Sequence, residues 1–167
     1  ELYTPTSAQC PLEDEEQVRR QITDIAPDWV INTAAMTNVD QCEHAPERAF
    51  AVNGLGPGHV ARACRAVGAR LVHVSTDFVF DGQAGRPLDE RDPPNPVNTY
   101  GRTKLRGEQE VATADPSALI CRVACLLGSR TQGVVPNLLD IARRQPALRV
   151  VTDVINSPSW TVDVAEH

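Results

Sequence analysis

Short apolar runs alternate with longer helical patterns along this chain, and this alternation constrains the fold more than any other feature. Apolar runs long enough for buried strands lie at 29–35, 70–74, 118–127 and 149–152. Amphipathic helical patterns lie before and between them, at 14–25, 46–67, 100–111 and 134–144. Unbroken apolar strands that alternate with helices indicate a parallel sheet covered by helices on both faces. We therefore predict an α/β fold with a doubly wound parallel sheet.

Local signals predict where several of these elements begin and end. The acidic cluster Glu13–Glu16 is typical of a helix N-terminus, since negative side chains interact favourably with the helix dipole there. In the second helical pattern Pro57 predicts a bend and Gly68 predicts the C-terminal end. Residues 81–98 carry Asp-Gly and Asp-Pro-Pro-Asn-Pro sequences, which predict an ordered surface loop.

Composition excludes several classes of protein. A net charge of −6 disfavours binding to a nucleic acid polymer, which needs a basic face. No apolar run reaches the length of a membrane span, and no signal-peptide pattern opens the chain, so we expect a cytoplasmic protein with no membrane contact. The five cysteines include no Cys-x-x-Cys pair, and they and the four histidines suggest no metal site.

The residues that follow each strand are the candidates for function. In open parallel sheets the ligand lies beyond the carboxyl ends of the strands. The segments in that position are 33–37, 75–78 and 123–128. Within the second of these, Thr76 lies directly after a buried strand, where its hydroxyl could hydrogen-bond and orient a substrate carbonyl. An ordinary turn or helix cap would explain the same residues if no other catalytic group were present.

Tyr100 and Lys104 supply such a group. Lys104 is the only lysine in the sequence, and Tyr100 is one of two tyrosines. Four residues apart on a helix, the two side chains can share a face. An ammonium beside a phenol lowers the phenol pKa, and a tyrosine so tuned can exchange a proton with a carbonyl oxygen. An exposed helix with an incidental pair is the alternative, but chance gives this spacing only roughly 1 time in 80.

Five segments together resemble the dTDP-4-dehydrorhamnose reductases, which belong to the extended short-chain dehydrogenases. They are VINTAAMTNVDQCE (30–43), AFAVNGLG (49–56), ARLVHVSTDFVFDG (69–82), NPVNTYGRTKLRGEQEV (95–111) and NSPSW (156–160). The resemblance implies a Rossmann-like sheet and NADPH-dependent reduction of a 4-keto nucleotide sugar in dTDP-rhamnose biosynthesis, with NADH as an alternative cofactor. It is compatible with a homodimer but does not decide the oligomeric state.

The resemblance also implies roles for individual residues. Tyr100 would donate the proton, Lys104 would lower its pKa and hold the nicotinamide ribose, and Thr76 would hydrogen-bond the reacting oxygen. Further cofactor contacts are implied for Thr33, Ala34, Ala35, Asn53 and Val123. The substrate side is implied to include, besides Thr76, residues Asp77, Phe78, Asn156, Ser157 and Pro158.

Departures from the family pattern limit these expectations. No Gly-rich turn precedes residue 28, and the first glycine is Gly54, so the sheet is expected to be incomplete at its N-terminus. The whole chain would then be one partial NAD(P)-binding domain, with 153–167 leading into a truncated substrate domain. Val123-Ala124-Cys125 replaces the usual Thr-Ser-Trp. An alternative function is therefore a non-catalytic regulatory role, as in the similar beta subunit of methionine adenosyltransferase.

Overall fold

The computed structural model describes residues 1–128, 133–150 and 156–166, and it divides the chain into two compact units, Glu1–Arg122 and Val123–His167. The elements of the first unit, up to the strand that crosses the boundary, are α1 (Glu15–Ile25), β1 (Trp29–Asn32), α2 (Val39–His44), α3 (Pro46–Ala49), a π-helical turn (Phe50–Leu55), α4 (Gly56–Val67), β2 (Arg70–Thr76), a 3₁₀ turn (Asp77–Val79), α5 (Thr99–Ala114) and β3 (Leu119–Val123). The second unit holds β4 (Leu126–Leu127), α6 (Val134–Arg144), β5 (Ser159–Trp160) and α7 (Thr161–Glu166).

A three-stranded sheet in the order β1-β2-β3 forms the centre of the first unit. Strands β1 and β2 are parallel, in a register that runs from Trp29 opposite Arg70 to Asn32 opposite His73. Helices α4 and α5 pack on this sheet, and α1 packs on α4. The main core is a single apolar cluster beneath these helices, and its most buried members are Val18, Ala61, Cys64, Leu71 and Val111. This arrangement confirms the predicted α/β class.

Helix ends follow the predicted local signals. The Asp14 side chain accepts a 3.0 Å hydrogen bond from the backbone N–H of Gln17 and so begins α1, with Glu15 and Glu16 in the first turn. Gly68 ends α4 with φ of 77°, a left-handed conformation that glycine adopts without strain. Both predictions are confirmed.

The second predicted helix is interrupted rather than merely bent. A π-helical turn, Phe50–Leu55, separates α3 from α4, and the Gly56 N–H bonds the Ala51 carbonyl five residues back. Pro57 lacks an N–H and its ring would clash with the carbonyl four residues earlier in a regular helix, which accounts for the break. That carbonyl, on Asn53, lies so close to Gly107 that any side chain there would overlap it. Helix α5 therefore contacts the backbone of this turn.

Two strand predictions need correction. The apolar run 118–127 is not one strand: β3 ends at Val123, Cys125 has φ of 35°, and β4 pairs in parallel with β5 instead. The predicted strand 149–152 is wrong at Arg149 and Val150, which lie in no strand, and its other two residues lie outside the described part of the chain. In both cases apolar character alone predicted a strand without showing a pairing partner.

The two faces of the sheet differ in burial. Side chains that alternate along β2 are buried at Leu71, His73 and Ser75, beneath the helices. Trp29, Ile31 and Leu119 are each more than half exposed. In Glu1–Arg122 the helices therefore bury one face of the sheet, where the sequence predicted cover on both. Among the described residues, no helix is long and apolar enough to cross a membrane.

Candidate active site

The first turn of α5 is fixed by the side chain of its own capping residue and by a side chain from α2. Asn98 begins the helix by accepting a 2.7 Å hydrogen bond from the Gly101 N–H. Glu43, from α2, accepts hydrogen bonds of 2.7 Å from the Thr99 N–H and 2.6 Å from its hydroxyl. A carboxylate at a helix N-terminus also interacts favourably with the helix dipole. Tyr100, the next residue, is therefore presented by a rigid helix end.

The end of β2 brings Thr76 to Tyr100. Thr76 is buried, and its hydroxyl lies near enough to the Tyr100 phenol to lower the pKa of that phenol. The same hydroxyl donates to the Asp77 carboxylate at 3.1 Å and accepts from the Phe78 N–H at 3.2 Å. The Phe78 ring meets the Tyr100 ring edge-on, with centroids 5.6 Å apart. Four of the residues singled out in the sequence thus lie together.

The acidity of Tyr100 differs from expectation. Burial raises the pKa of Tyr100, the Thr76 hydroxyl opposes that rise, and the nearby Cys42 and Asp77 add to it. The pKa of Asp77 is itself raised by burial. The sequence predicted that Lys104 would lower the pKa of Tyr100. This is corrected by the structure, where burial dominates and the phenol keeps its proton at neutral pH.

Lys104 lies one turn further along α5 and is only 2% exposed. Its Nζ donates a 2.7 Å hydrogen bond to the Val74 carbonyl on β2. Burial lowers the pKa of Lys104 to about 8, and the charge of Glu108 opposes that fall. His73 is fully buried beside it, and burial together with the charge of Lys104 lowers the pKa of His73 to about 3. His73 is therefore neutral, and it lies within β2.

A buried ion pair next to this site was missed by the sequence analysis. Glu108 is 6% exposed and accepts bidentate hydrogen bonds from Arg122, 2.9 Å from Nε and 2.6 Å from Nη2. The Ser75 hydroxyl donates to the same carboxylate at 2.5 Å. The Arg122 guanidinium also lies over the Phe80 ring, 5.0 Å from its centroid. Glu108 follows Lys104 by four residues, a helical spacing that could have identified it.

The segment after β1 is shaped by Asn32 and Asn53. The Asn32 side chain accepts a 3.2 Å hydrogen bond from the Ala34 N–H. Asn53 is fully buried and pairs with the Met36 peptide on both sides, accepting from its N–H at 2.8 Å and donating to its carbonyl at 2.9 Å. Its second amide proton goes to Thr103 at 3.3 Å. Asn53 thus holds the end of the segment that contains the predicted cofactor residues. Its side-chain amide is fully hydrogen-bonded to other residues of the protein.

The remaining predicted residues are spread over the segment after β1 and the second unit. Thr33 and Ala34 are exposed, and Ala35 is half-buried. In the second unit, Val123 is half-buried and the predicted substrate residues Asn156, Ser157 and Pro158 are exposed. The Ser159 N–H donates to the Ala124 carbonyl at 3.1 Å, so the two stretches are neighbours within that unit. The roles assigned to these residues stay predictions.

The described residues contain no group of three His, Cys, Asp or Glu side chains arranged to hold a metal ion. All five cysteines are free thiols, and burial raises the pKa of Cys64 to about 11 and that of Cys42 less strongly. Thiols in such surroundings pack as small apolar side chains.

A parallel sheet with polar side chains at its strand ends defines a Rossmann-like α/β protein. The family model for the RmlD substrate binding domain matches residues 1–167, and the chain belongs to that family. A dTDP-4-dehydrorhamnose reductase of Mycolicibacterium smegmatis is 46% identical over 162 residues, which is 95% of this chain and 49% of that protein. The Bacillus subtilis spore coat polysaccharide biosynthesis protein SpsK is 36% identical over 166 residues, 99% of this chain and 59% of its own length.

Solved structures agree with this assignment. A dTDP-4-dehydrorhamnose reductase from Bacillus anthracis, in complex with NADP, superposes with a TM-score of 0.91 at 33% identity, covering 98% of this chain and 59% of its own. A Thermotoga maritima UDP-glucose 4-epimerase matches with a TM-score of 0.80 at 22% identity, which supports the fold alone. The chain spans between about half and three-fifths of the length of the relatives named here.

Proposed function

We propose that the protein containing this chain reduces a 4-keto nucleotide sugar, of the dTDP-4-dehydrorhamnose type, with NADPH. The observation that carries the proposal is that Tyr100 lies beside Thr76 and Phe78 at the carboxyl end of β2, with Lys104 one helical turn away. The names of the relatives support the reaction class. NADPH is preferred to NADH because the Bacillus anthracis relative was solved with NADP.

Each of the three residues has a role that follows from its environment. Tyr100 is a protonated phenol at neutral pH, because burial raises its pKa, and it can donate that proton to a carbonyl oxygen. Thr76 can hydrogen-bond the same oxygen and orient the carbonyl. The nicotinamide, when bound, supplies the hydride that adds to the carbonyl carbon. Hydride and proton together convert the ketone to a secondary alcohol.

The residues present fit the nicotinamide end of the cofactor. The ammonium of Lys104 has three donors, and the Val74 carbonyl takes one of them, which leaves donors suited to ribose hydroxyls. The short segment Thr33–Ala35 would lie along the cofactor, held in place by Asn32 and Asn53. Val123 would line the nicotinamide. Asp77 and Phe78 would contact the nucleotide sugar, and the resemblance implies the same role for Asn156–Pro158.

The test is NADPH oxidation by the full-length protein with dTDP-4-dehydro-6-deoxy-L-mannose. Tyr100→Phe removes the proton donor, and kcat should fall on the order of 100- to 10,000-fold. Tyr3→Phe is the matched control, because Tyr3 is exposed and far from this chemistry in the sequence. Wild-type protein that binds NADPH without turnover, or a Tyr100→Phe variant with normal turnover, would overturn the proposal. The first of these outcomes would favour the regulatory alternative.

A further inference from the structure

Three ionisable side chains lie at four-residue intervals on α5: Tyr100, Lys104 and Glu108. This spacing places all three on one face of the helix. Lys104 and Glu108 are both nearly inaccessible to solvent. A buried carboxylate one turn from a buried ammonium is costly unless each has partners. The partners of Glu108 therefore bear on the state of Lys104.

The Glu108 carboxylate joins three elements. Through Ser75 it holds the residue immediately before Thr76 at the end of β2, and through Arg122 it holds β3. All its contacts are short, between 2.5 and 2.9 Å. Displacing this carboxylate would therefore disturb both the strand that carries Thr76 and the helix that carries Lys104.

The charges around Lys104 are few and identifiable. Glu108 faces it from the same helix, and Tyr100, protonated, lies one turn earlier. His73 faces it from β2 in its neutral form, because burial and the charge of Lys104 lower the pKa of His73, and its Nδ1 lies 3.2 Å from the Asn32 amide. Arg122, from β3, reaches this cluster through Glu108. The Glu108 carboxylate thus pairs directly with Arg122 and acts on Lys104 through its charge.

We propose that Glu108 is a positioning residue for the Thr76–Tyr100–Lys104 trio, which holds Lys104 charged and the end of β2 in place while Arg122 competes for its carboxylate. The inference rests on the proposed function for its link to catalysis. The effect of the Glu108 charge on Lys104 can be measured by titrating Lys104, without any measurement of turnover.

The two partners of this carboxylate should affect Lys104 in opposite directions. Burial lowers the pKa of Lys104 to about 8 and Glu108 opposes that fall, so Glu108→Gln should lower the titration midpoint of Lys104 by about one pH unit. Arg122→Met removes the competing cation and should raise the midpoint. If the two variants only disturbed packing, they would not shift the Lys104 midpoint in opposite directions.

The experiment is a ¹³C NMR titration of the full-length protein labelled at lysine Cε, with the Lys104 signal assigned by its absence in Lys104→Arg. Glu110→Gln is the matched control: Glu110 lies on the same helix and pairs with Arg106 and Arg62 instead. Its midpoint should equal that of wild type. On the alkaline side of the pH profile of kcat/KM, the midpoints of wild type, Glu108→Gln and Arg122→Met should rank in the same order as their Lys104 midpoints.

An unchanged Lys104 midpoint in Glu108→Gln, or the same direction of shift in both variants, would overturn the inference. If the single variant does not fold, the double variant Glu108→Gln, Arg122→Met avoids leaving the Arg122 guanidinium without its carboxylate. Its midpoint should still lie below that of wild type, and a midpoint at or above wild type counts against Glu108. Absence of turnover in wild type would overturn the proposed function, whereas the titration decides the role of Glu108 alone.

Discussion

Two arginine–carboxylate pairs of the same chemistry lie in very different surroundings. Arg122 and Glu108 are 22% and 7% exposed, and they join α5 to the sheet beside Lys104. Arg86 is 57% exposed and Asp92 is 13% exposed, and this pair closes the 81–98 loop at the surface. An exposed pair is screened by water and salt, while a buried pair is strongly coupled to its neighbours. An arginine–carboxylate pair therefore closes a surface loop in one place and, in the other, lies inside the protein beside Lys104.

The largest expected effect is on the buried pair. Glu108→Ala leaves the Arg122 guanidinium largely buried without its carboxylate, and breaking such a pair costs about 3–5 kcal/mol of unfolding free energy. Urea unfolding of the full-length protein measures this. Arg122→Met with Glu108→Leu removes both charges and should recover most of the loss. A single variant as stable as wild type would contradict the contrast between the two regions.

Acid should affect the buried region through His73. Its pKa is about 3 when folded and about 6.5 in the unfolded chain, so the unfolded state binds the proton first as pH falls. Stability is thus lost between about pH 6.5 and 3. The unfolding free energy of wild type relative to His73→Gln should fall by roughly 3 kcal/mol between pH 7 and 4. A pH-independent difference between the two proteins would show that His73 is not the group responsible.

The smallest effect is expected at the exposed pair. Arg86 lowers the pKa of Asp92 to about 2, and Asp92 also accepts from the Asp89 N–H at 2.8 Å. Asp92→Asn keeps the backbone hydrogen bond and loses the charge. We expect a small decrease in the thermal midpoint at low salt that disappears at high salt, because screening already weakens this pair. A salt-independent loss would mean that the loop depends on the pair for more than charge.

The sequence predicted those features that depend on neighbouring residues. The α1 cap at Asp14, the end of α4 at Gly68 and the helix that carries Tyr100 and Lys104 all have local signals, and the structure has them. What it did not predict depends on distant contacts. Arg122 finds Glu108 only because β3 lies beside β2.

The same limit explains the error over Tyr100. Four-residue spacing shows that Lys104 can approach the phenol, but it does not show how far the phenol is removed from water. In the folded protein burial is the largest influence on the pKa of Tyr100. The strand predicted at 118–127 failed for a related reason, since pairing partners for β4 come from residues more than thirty positions later.

The π-helical turn has a consequence for the segment after β1. The turn holds one residue more per turn than an α-helix, and Asn53 lies within it. Removing one residue from Phe50–Leu55 would rotate the preceding residues by about 100° relative to α4. The Asn53 amide would then no longer meet the Met36 peptide. A deletion of one residue in this turn would therefore release the segment after β1 from the side chain that holds it.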